Sequence, residues 1–145
     1  MTALHMIALG KKISNIYSAL SLPICRKYGI NQTCFDIMLF CANNPEYNTA
    51  RDICEIRGIK SGIVSVAVES LIKNGFLEIE SDISDRRINR LITTEKSYEL
   101  IEDGRRMQQY FTESLSNGIT AEEFMIMQNI TNKIESNITL LEKGR

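Results

Sequence analysis

The chain has 145 residues, with 17 basic and 18 acidic side chains, a net charge of −1, 43% apolar content and two prolines. That is the profile of one compact globular domain, and it excludes a tail, a linker and a disordered adaptor. A chain of this length buries roughly 70% of the surface its unfolded form exposes, so it needs neither metal nor disulfides to fold. Nowhere do about 18 apolar residues follow one another, so no membrane partner is expected.

The opening residues MTALHMIALGKK put Lys11 and Lys12 after the apolar stretch, the reverse of a secretory signal, which predicts an intracellular, cytoplasmic protein. Cys25, Cys34, Cys41 and Cys54 stand 9, 7 and 13 positions apart with no C-x-x-C, the pattern of free thiols in a reducing compartment. The Asn-x-Thr triplets at Asn31, Asn129 and Asn137 then need no glycan. Charge is unevenly spread: residues 1–50 carry +2, residues 51–90 carry 0 and residues 91–145 carry −3. Within that frame Arg86, Arg87 and Arg90 crowd into five positions, the strongest electrostatic feature of the chain.

In chain order, Leu4, Ile7, Ala8, Ile13, Ile16, Tyr17 and Leu20 recur at helical spacing and predict a long first helix that Pro23 kinks or ends. Gly29 breaks the chain. Residues 33–42 form a second, largely buried helix stopped by Asn43-Asn44-Pro45. A third, short helix fits Thr49 to Arg57, with Ile53, Cys54 and Ile56 inward and Gly58 closing it. Ser61 caps a fourth, running to Lys73 on the buried stripe Val64, Ala67, Val68 and Leu71, with Asn74-Gly75 beyond it. Two short helices joined by a glycine-containing turn make a helix-turn-helix candidate.

Residues 76–80 and 88–92 then alternate with period two around the polar turn 81–87, a β-hairpin with an arginine-rich tip. Thr94 can cap a helix through Tyr98, Ile101, Met107, Tyr110, Phe111 and Leu115 that ends at Asn117-Gly118. Thr120-Ala121-Glu122-Glu123 is a capping box, after which Phe124, Met127, Ile130, Ile134, Ile138 and Leu141 lie on one stripe of a last helix. The order of elements is mainly α with a small β-hairpin wing (α+β): a winged helix-turn-helix at about residues 31–93 between end helices at about 1–28 and 94–145, all in one domain, 1–145. A stripe as apolar as that of the last helix predicts burial against a second copy, with Ile7 on the first helix expected to share in the homodimer.

Two stretches carry a resemblance. Ser84-Asp85-Arg86-Arg87, a strand and Thr93-Thr94-Glu95-Lys96 resemble the wing signature of the MarR (multiple antibiotic resistance regulator) family of bacterial winged-helix transcription factors, and residues 68–77 are similar to its passage from recognition helix to wing. The resemblance covers nearly the whole chain. It implies a sequence-specific regulator of transcription, usually a repressor, bound as a homodimer to a pseudo-palindrome in double-stranded DNA. It also implies a small aromatic or lipophilic effector in a cleft, which Tyr17, Tyr28, Phe35, Tyr98 and Tyr110 could line by position.

The chemistry of the wing is independent of the family. An arginine meant for a narrow, negatively charged minor groove must be held extended, and an aspartate two residues earlier can brace it. Asp85 would orient and Arg87 would insert, with Arg86 and Arg90 adding charge; the alternative is a mere surface ion pair. On the fourth helix, Lys60, Ser61, Gly62, Ile63, Ser65, Val66 and Glu69 would face the major groove. Here the chain departs from the family, since Ile63 and Val66 stand where relatives often place arginine or threonine. Positive charge must come from Arg57, Lys60, Lys73 and the wing, unless Ile63 and Val66 turn inward through a slightly rotated helix. Ser97 and Thr93 replace a glycine and a leucine of the signature, which bears on where the next helix starts.

His5 is the single histidine, so Cys/His or Ser/His catalysis and His-based metal binding have little to build on, and neither enzyme activity nor a cofactor is expected. Cys34, Cys41 and Cys54 fit core packing. Cys25 is the candidate redox thiol, because Arg26 and Lys27 beside it would lower its pKa. The uncharged face of the fourth helix leaves two further readings open: a winged-helix protein-interaction module with weak or no DNA binding, and a thiol redox-sensing regulator.

Overall fold

The computed structural model describes all 145 residues and divides the chain into two compact units, Met1–Phe111 and Thr112–Arg145. The first unit begins with α1 (Ala3–Tyr28), entered through the Thr2 side chain and closed by Gly29 in the left-handed region at φ 65°. Pro23 lies inside this helix instead of ending it. The ring costs one backbone hydrogen bond. Leu20, Ile24 and Tyr28 pack on the core and Cys25 is buried, so the packed face continues past the proline and carries the helix with it. Upstream, Leu4, Ile7, Ile13 and Ile16 are exposed.

Next comes α2 (Gln32–Asn43), capped by the Asn31 side chain on the Cys34 amide at 2.8 Å. Phe35, Ile37, Met38 and Leu39 are buried in it, so it is the central element of the core. After a 3-10 turn, Thr49 and Asp52 form a reciprocal capping box on α3 (Ala50–Arg57). Ile53 is buried, Cys54 half-buried and Ile56 exposed, so only one of the three expected inward residues is fully packed. A helix of eight residues has room for one buried stripe, and Ile53 occupies it.

The turn at Gly58, φ 64°, leads to α4 (Ser61–Lys73). Ser61 is its first helical residue and not its cap; Lys60 holds the cap position, with no side-chain bond to the helix. Antiparallel strands β1 (Leu77–Ser81) and β2 (Asn89–Thr93) pair from Leu77 opposite Thr93 to Ser81 opposite Asn89, each one residue later than the alternation predicts. Thr94 does not cap a helix with its hydroxyl, which instead donates to the Gly75 carbonyl at 2.6 Å and ties the end of the hairpin to its start. Ser97, fully buried, donates to the Thr94 carbonyl at 2.6 Å and closes a 3-10 turn before α5 (Tyr98–Leu115).

The inner face of α5 is Leu100, Ile101, Gly104 and Met107, while Tyr98, Tyr110 and Leu115 are exposed. Three polar clamps hold it within the first unit. Asp103 accepts from Lys27 Nζ at 2.8 Å and from the Tyr28 hydroxyl at 2.7 Å. Arg105 donates to Asn43 Oδ1 at 3.0 Å and to the Ala42 carbonyl at 3.2 Å. Gln108 Nε2 donates to the Tyr17 hydroxyl at 2.9 Å. The second unit contains α6 (Ala121–Lys143), opened by the expected capping box of Thr120 and Glu123. Every residue of α6 is exposed.

Candidate nucleic-acid interface

Burial of Val64, Ala67, Val68 and Leu71 settles the rotation of α4 about its own axis. Ser61, Gly62, Ser65 and Glu69 then face solvent beside Lys60, and so do Ile63, at 49% exposure, and Val66, at 70%. The inward-turned alternative for the two apolar residues is therefore overturned. They border a groove of about 340 Å³ between α4 and the start of α2, lined also by Asn31, Thr33 and Cys34.

The tip of the hairpin is a hydrogen-bonded device. Asp85 accepts from Arg87 through both carboxylate oxygens, from Nε at 3.1 Å and from the terminal nitrogen at 3.0 Å, and accepts the Arg87 amide at 3.0 Å. These bonds hold the Asp85 carboxyl below its ordinary value and raise the Arg87 guanidinium. The Arg87 side chain is nevertheless 90% exposed. A planar fork gripped from one side leaves its other donors pointing outward. Arg86 is exposed beside it.

Arg90 departs from its expected role. Its Nε donates to Asp82 at 3.1 Å and a terminal nitrogen to Asn48 Oδ1 at 3.2 Å, and the side chain is half-buried. Asn48 is buried and its carbonyl accepts the Leu91 amide at 2.8 Å, so Arg90 and Asn48 bolt the base of the hairpin to the turn before α3. Asp82 also accepts the Ser84 and Asp85 amides, both at 3.1 Å, and the Ser84 hydroxyl. With these donors around it, led by Ser84 and then Arg90, its pKa falls to about 2. Asp82 and Asn48 were not singled out from the sequence. The Asp-x-Ser of residues 82–84 is a local turn signal, whereas Asn48 lies 42 positions from Arg90 and gives none.

Of the five aromatic residues expected to line a cleft, the fold brings two together: Tyr17 packs against Phe35, ring centroids 6.4 Å apart, and meets Phe111 edge-on at 5.2 Å. Tyr28 is engaged with Asp103, and Tyr98 and Tyr110 are exposed. Beside Tyr17 lies a small cleft of about 130 Å³, bordered by Asp36, Asn43, Arg57 and Gln108. Burial holds the Asp36 carboxyl above its ordinary value, against the opposing bond from Gln32 at 2.9 Å and the Arg57 guanidinium at 3.7 Å.

Cys25 requires a correction. Its thiol is buried and burial pushes its pKa up, with Asp36 acting in the same direction, so the neighbouring Arg26 and Lys27 do not activate it. Both basic side chains leave the helix on other faces, Lys27 toward Glu99 and Asp103. Phe124, Met127, Ile130, Ile134, Ile138 and Leu141 are exposed on α6, and Ile7 is exposed on α1. No helix is long and apolar enough to cross a membrane.

A helix-turn-helix followed by a two-stranded wing, with long helices at the two ends of the chain, defines a winged-helix protein. The sequence model of the MarR family matches residues 28–88, from the end of α1 to just past Arg87. That segment is similar to the MarR family of transcription regulators. Solved structures share the fold. A MarR protein from Peptoclostridium difficile is 17% identical with a TM-score of 0.79, over 95% of this chain and 90% of that one. A MarR family transcriptional regulator from Listeria monocytogenes, complexed with a 26-mer DNA, is 19% identical with a TM-score of 0.77, over 95% and 89%. Staphylococcus aureus MarR in complex with salicylate and kanamycin is 22% identical with a TM-score of 0.73, over 94% and 92%. No curated protein matches the chain.

Proposed function

We propose that the protein is a homodimeric, sequence-specific DNA-binding repressor whose α4 helices enter successive major grooves of a pseudo-palindrome, about one helical turn apart, while the wings enter the flanking minor grooves. The observation that carries this reading is the Asp85–Arg87 brace: an arginine held extended and 90% exposed at the tip of a hairpin that Arg90 and Asn48 anchor. A narrow minor groove focuses negative potential, and a preoriented guanidinium enters it with little ordering cost. Ser61, Gly62, Ile63, Ser65, Val66 and Glu69 meet base edges, the apolar pair suited to thymine methyl groups and Glu69 to a cytosine amino group. Lys60, Arg86 and Arg87 meet the phosphate-lined surface, and Arg90 serves the interface by positioning the wing. The solved relative bound to DNA supports the reading.

The dimer rests on the exposed apolar stripe of α6, from Phe124 through Met127, Ile130 and Ile134 to Ile138, with Ile7 contributing from α1. Release of DNA follows from an aromatic or lipophilic effector that favours one spacing of the two halves, a population shift that is reciprocal between effector and DNA. The cleft beside Tyr17 and the solved relative that binds salicylate support this part.

The test is selection of bound duplexes from a random pool by wild type and Arg87→Ala at moderate salt. A palindromic site enriched by wild type and lost by the variant supports the reading. The apolar groove at Ile63 and Val66 favours a second one, a protein-interaction module, under which partner binding survives high salt while DNA binding stays weak.

A further inference from the structure

Ile83 is 102% exposed, as open as in an isolated extended peptide, and is the most exposed large apolar side chain in the protein. It sits at the wing tip, between Asp82 and Ser84, where turn chemistry favours glycine, asparagine, aspartate or serine and gives an isoleucine no local advantage. Nor is it free to fold back. Asp82, one residue before it, is tied to the Ser84 and Asp85 amides and to Arg90, and the Asp82 amide donates to the Ile88 carbonyl at 2.9 Å. The same pinned turn presents Arg87, four residues on. A local rule broken at an exposed point, in the same pinned turn as an oriented cation, fits a contact with something outside the chain.

The charge inventory says what kind of contact. With Arg90 committed to Asp82 and Asn48, Arg86 and Arg87 are the remaining wing cations, and the outer face of α4 sets the cation Lys60 beside Ile63, Val66 and Glu69. Few cations and several exposed apolar side chains on this surface favour a larger share for apolar contact. Proteins that enter the minor groove commonly insert an apolar wedge between base steps, unstacking one step and bending the duplex.

Resting on the DNA-binding reading above, we infer that Ile83 is such a wedge: it enters the flanking minor groove with Arg87, loosens one base step and bends the operator. The preferred flanking step is then a pyrimidine–purine step, the easiest to unstack.

The experiment uses the full-length protein and a duplex enriched by wild type, with 2-aminopurine placed in turn at each step of the flanking minor groove. The readouts are affinity, end-to-end energy transfer as a measure of bend, and 2-aminopurine fluorescence. Ile83→Ser is expected to bind at least tenfold more weakly, because each of the dimer's two wings loses roughly half the burial of one isoleucine. It should also leave the 2-aminopurine quenched where wild type brightens it, and straighten a bend of roughly 20° or more. Ile83→Leu should restore all three. An Ile83→Ser variant that binds, bends and unstacks like wild type overturns the wedge and leaves the regulator reading intact. A folded wild type that enriches no duplex overturns both.

Discussion

Asp85 grips the Arg87 guanidinium with both carboxylate oxygens, at 3.1 Å and 3.0 Å, while its first oxygen also takes the Arg87 amide at 3.0 Å. The pair lies at the surface, where ion pairs add little to stability. Its value is in orientation. Asp85→Asn should therefore leave the Tm unchanged while weakening DNA binding, and Arg87→Ala should weaken binding to all sequences and reduce the salt slope by about 2, one for each wing of the dimer. Titration of the selected duplex at several salt concentrations checks this; an Arg87→Ala slope equal to that of wild type counts against the wing assignment.

Asp82 predicts the acid limit of the wing. Its pKa in the folded protein is about 2 against an ordinary value of 3.8, so the contribution of its hydrogen bonds is fully present above about 3.8 and is lost as pH falls through about 2. The Ser84 and Asp85 amide resonances should hold their positions from neutral pH to about 4 and move below it. Movement near pH 6 would contradict the geometry at Asp82.

Gly104 lies against Leu39, and a methyl group there would come within 2.7 Å of Leu39 Cδ2 and 2.9 Å of Cδ1. Leu39 is buried in α2, and its Cγ as well as both its methyl carbons would lie within 3.0 Å of the added carbon. Gly104→Ala should destabilise the fold, because overpacking costs about 1–3 kcal/mol and the gain in helix propensity returns about 1 kcal/mol at most. Urea unfolding measures the difference; a rise in midpoint would show that Leu39 moves freely.

The four thiols should react in an order set by burial. Cys54 is half-buried, the other three are buried, and burial pushes Cys41 up to about 12. A thiol reagent applied to the native protein at pH 8 should label Cys54 first and Cys41 last, with Cys25 slow, as mass mapping would show. Labelling of Cys25 ahead of Cys54 would revive the redox-sensor reading.

If α6 is the dimer surface, Ile130→Asp together with Ile134→Asp should halve the mass measured in solution and lower operator affinity, with the fold of residues 1–111 retained by circular dichroism. A variant that keeps the wild-type mass would place the interface elsewhere.

Local chemistry determined much of this in advance. Thr120 and Glu123, Gly29 and Gly58 act through bonds or backbone angles spanning four residues or fewer, so those helix ends, the helix-turn-helix and the hairpin were legible from residue type and spacing. The Asp85–Arg87 brace was legible for the same reason, its partners being two residues apart. What the sequence could not decide were the choices made between distant segments. Pro23 stays within α1 because the core holds the helix on both sides of it. Cys25 is silenced by burial and by Asp36, against the charges beside it in the chain. Arg90, indistinguishable in sequence from a DNA-facing arginine, is turned back by Asp82 and by Asn48, 42 residues away. Spacing encodes a helix face or a turn, but which of two possible partners a side chain takes is decided by the packing that brings one of them within 3 Å or so.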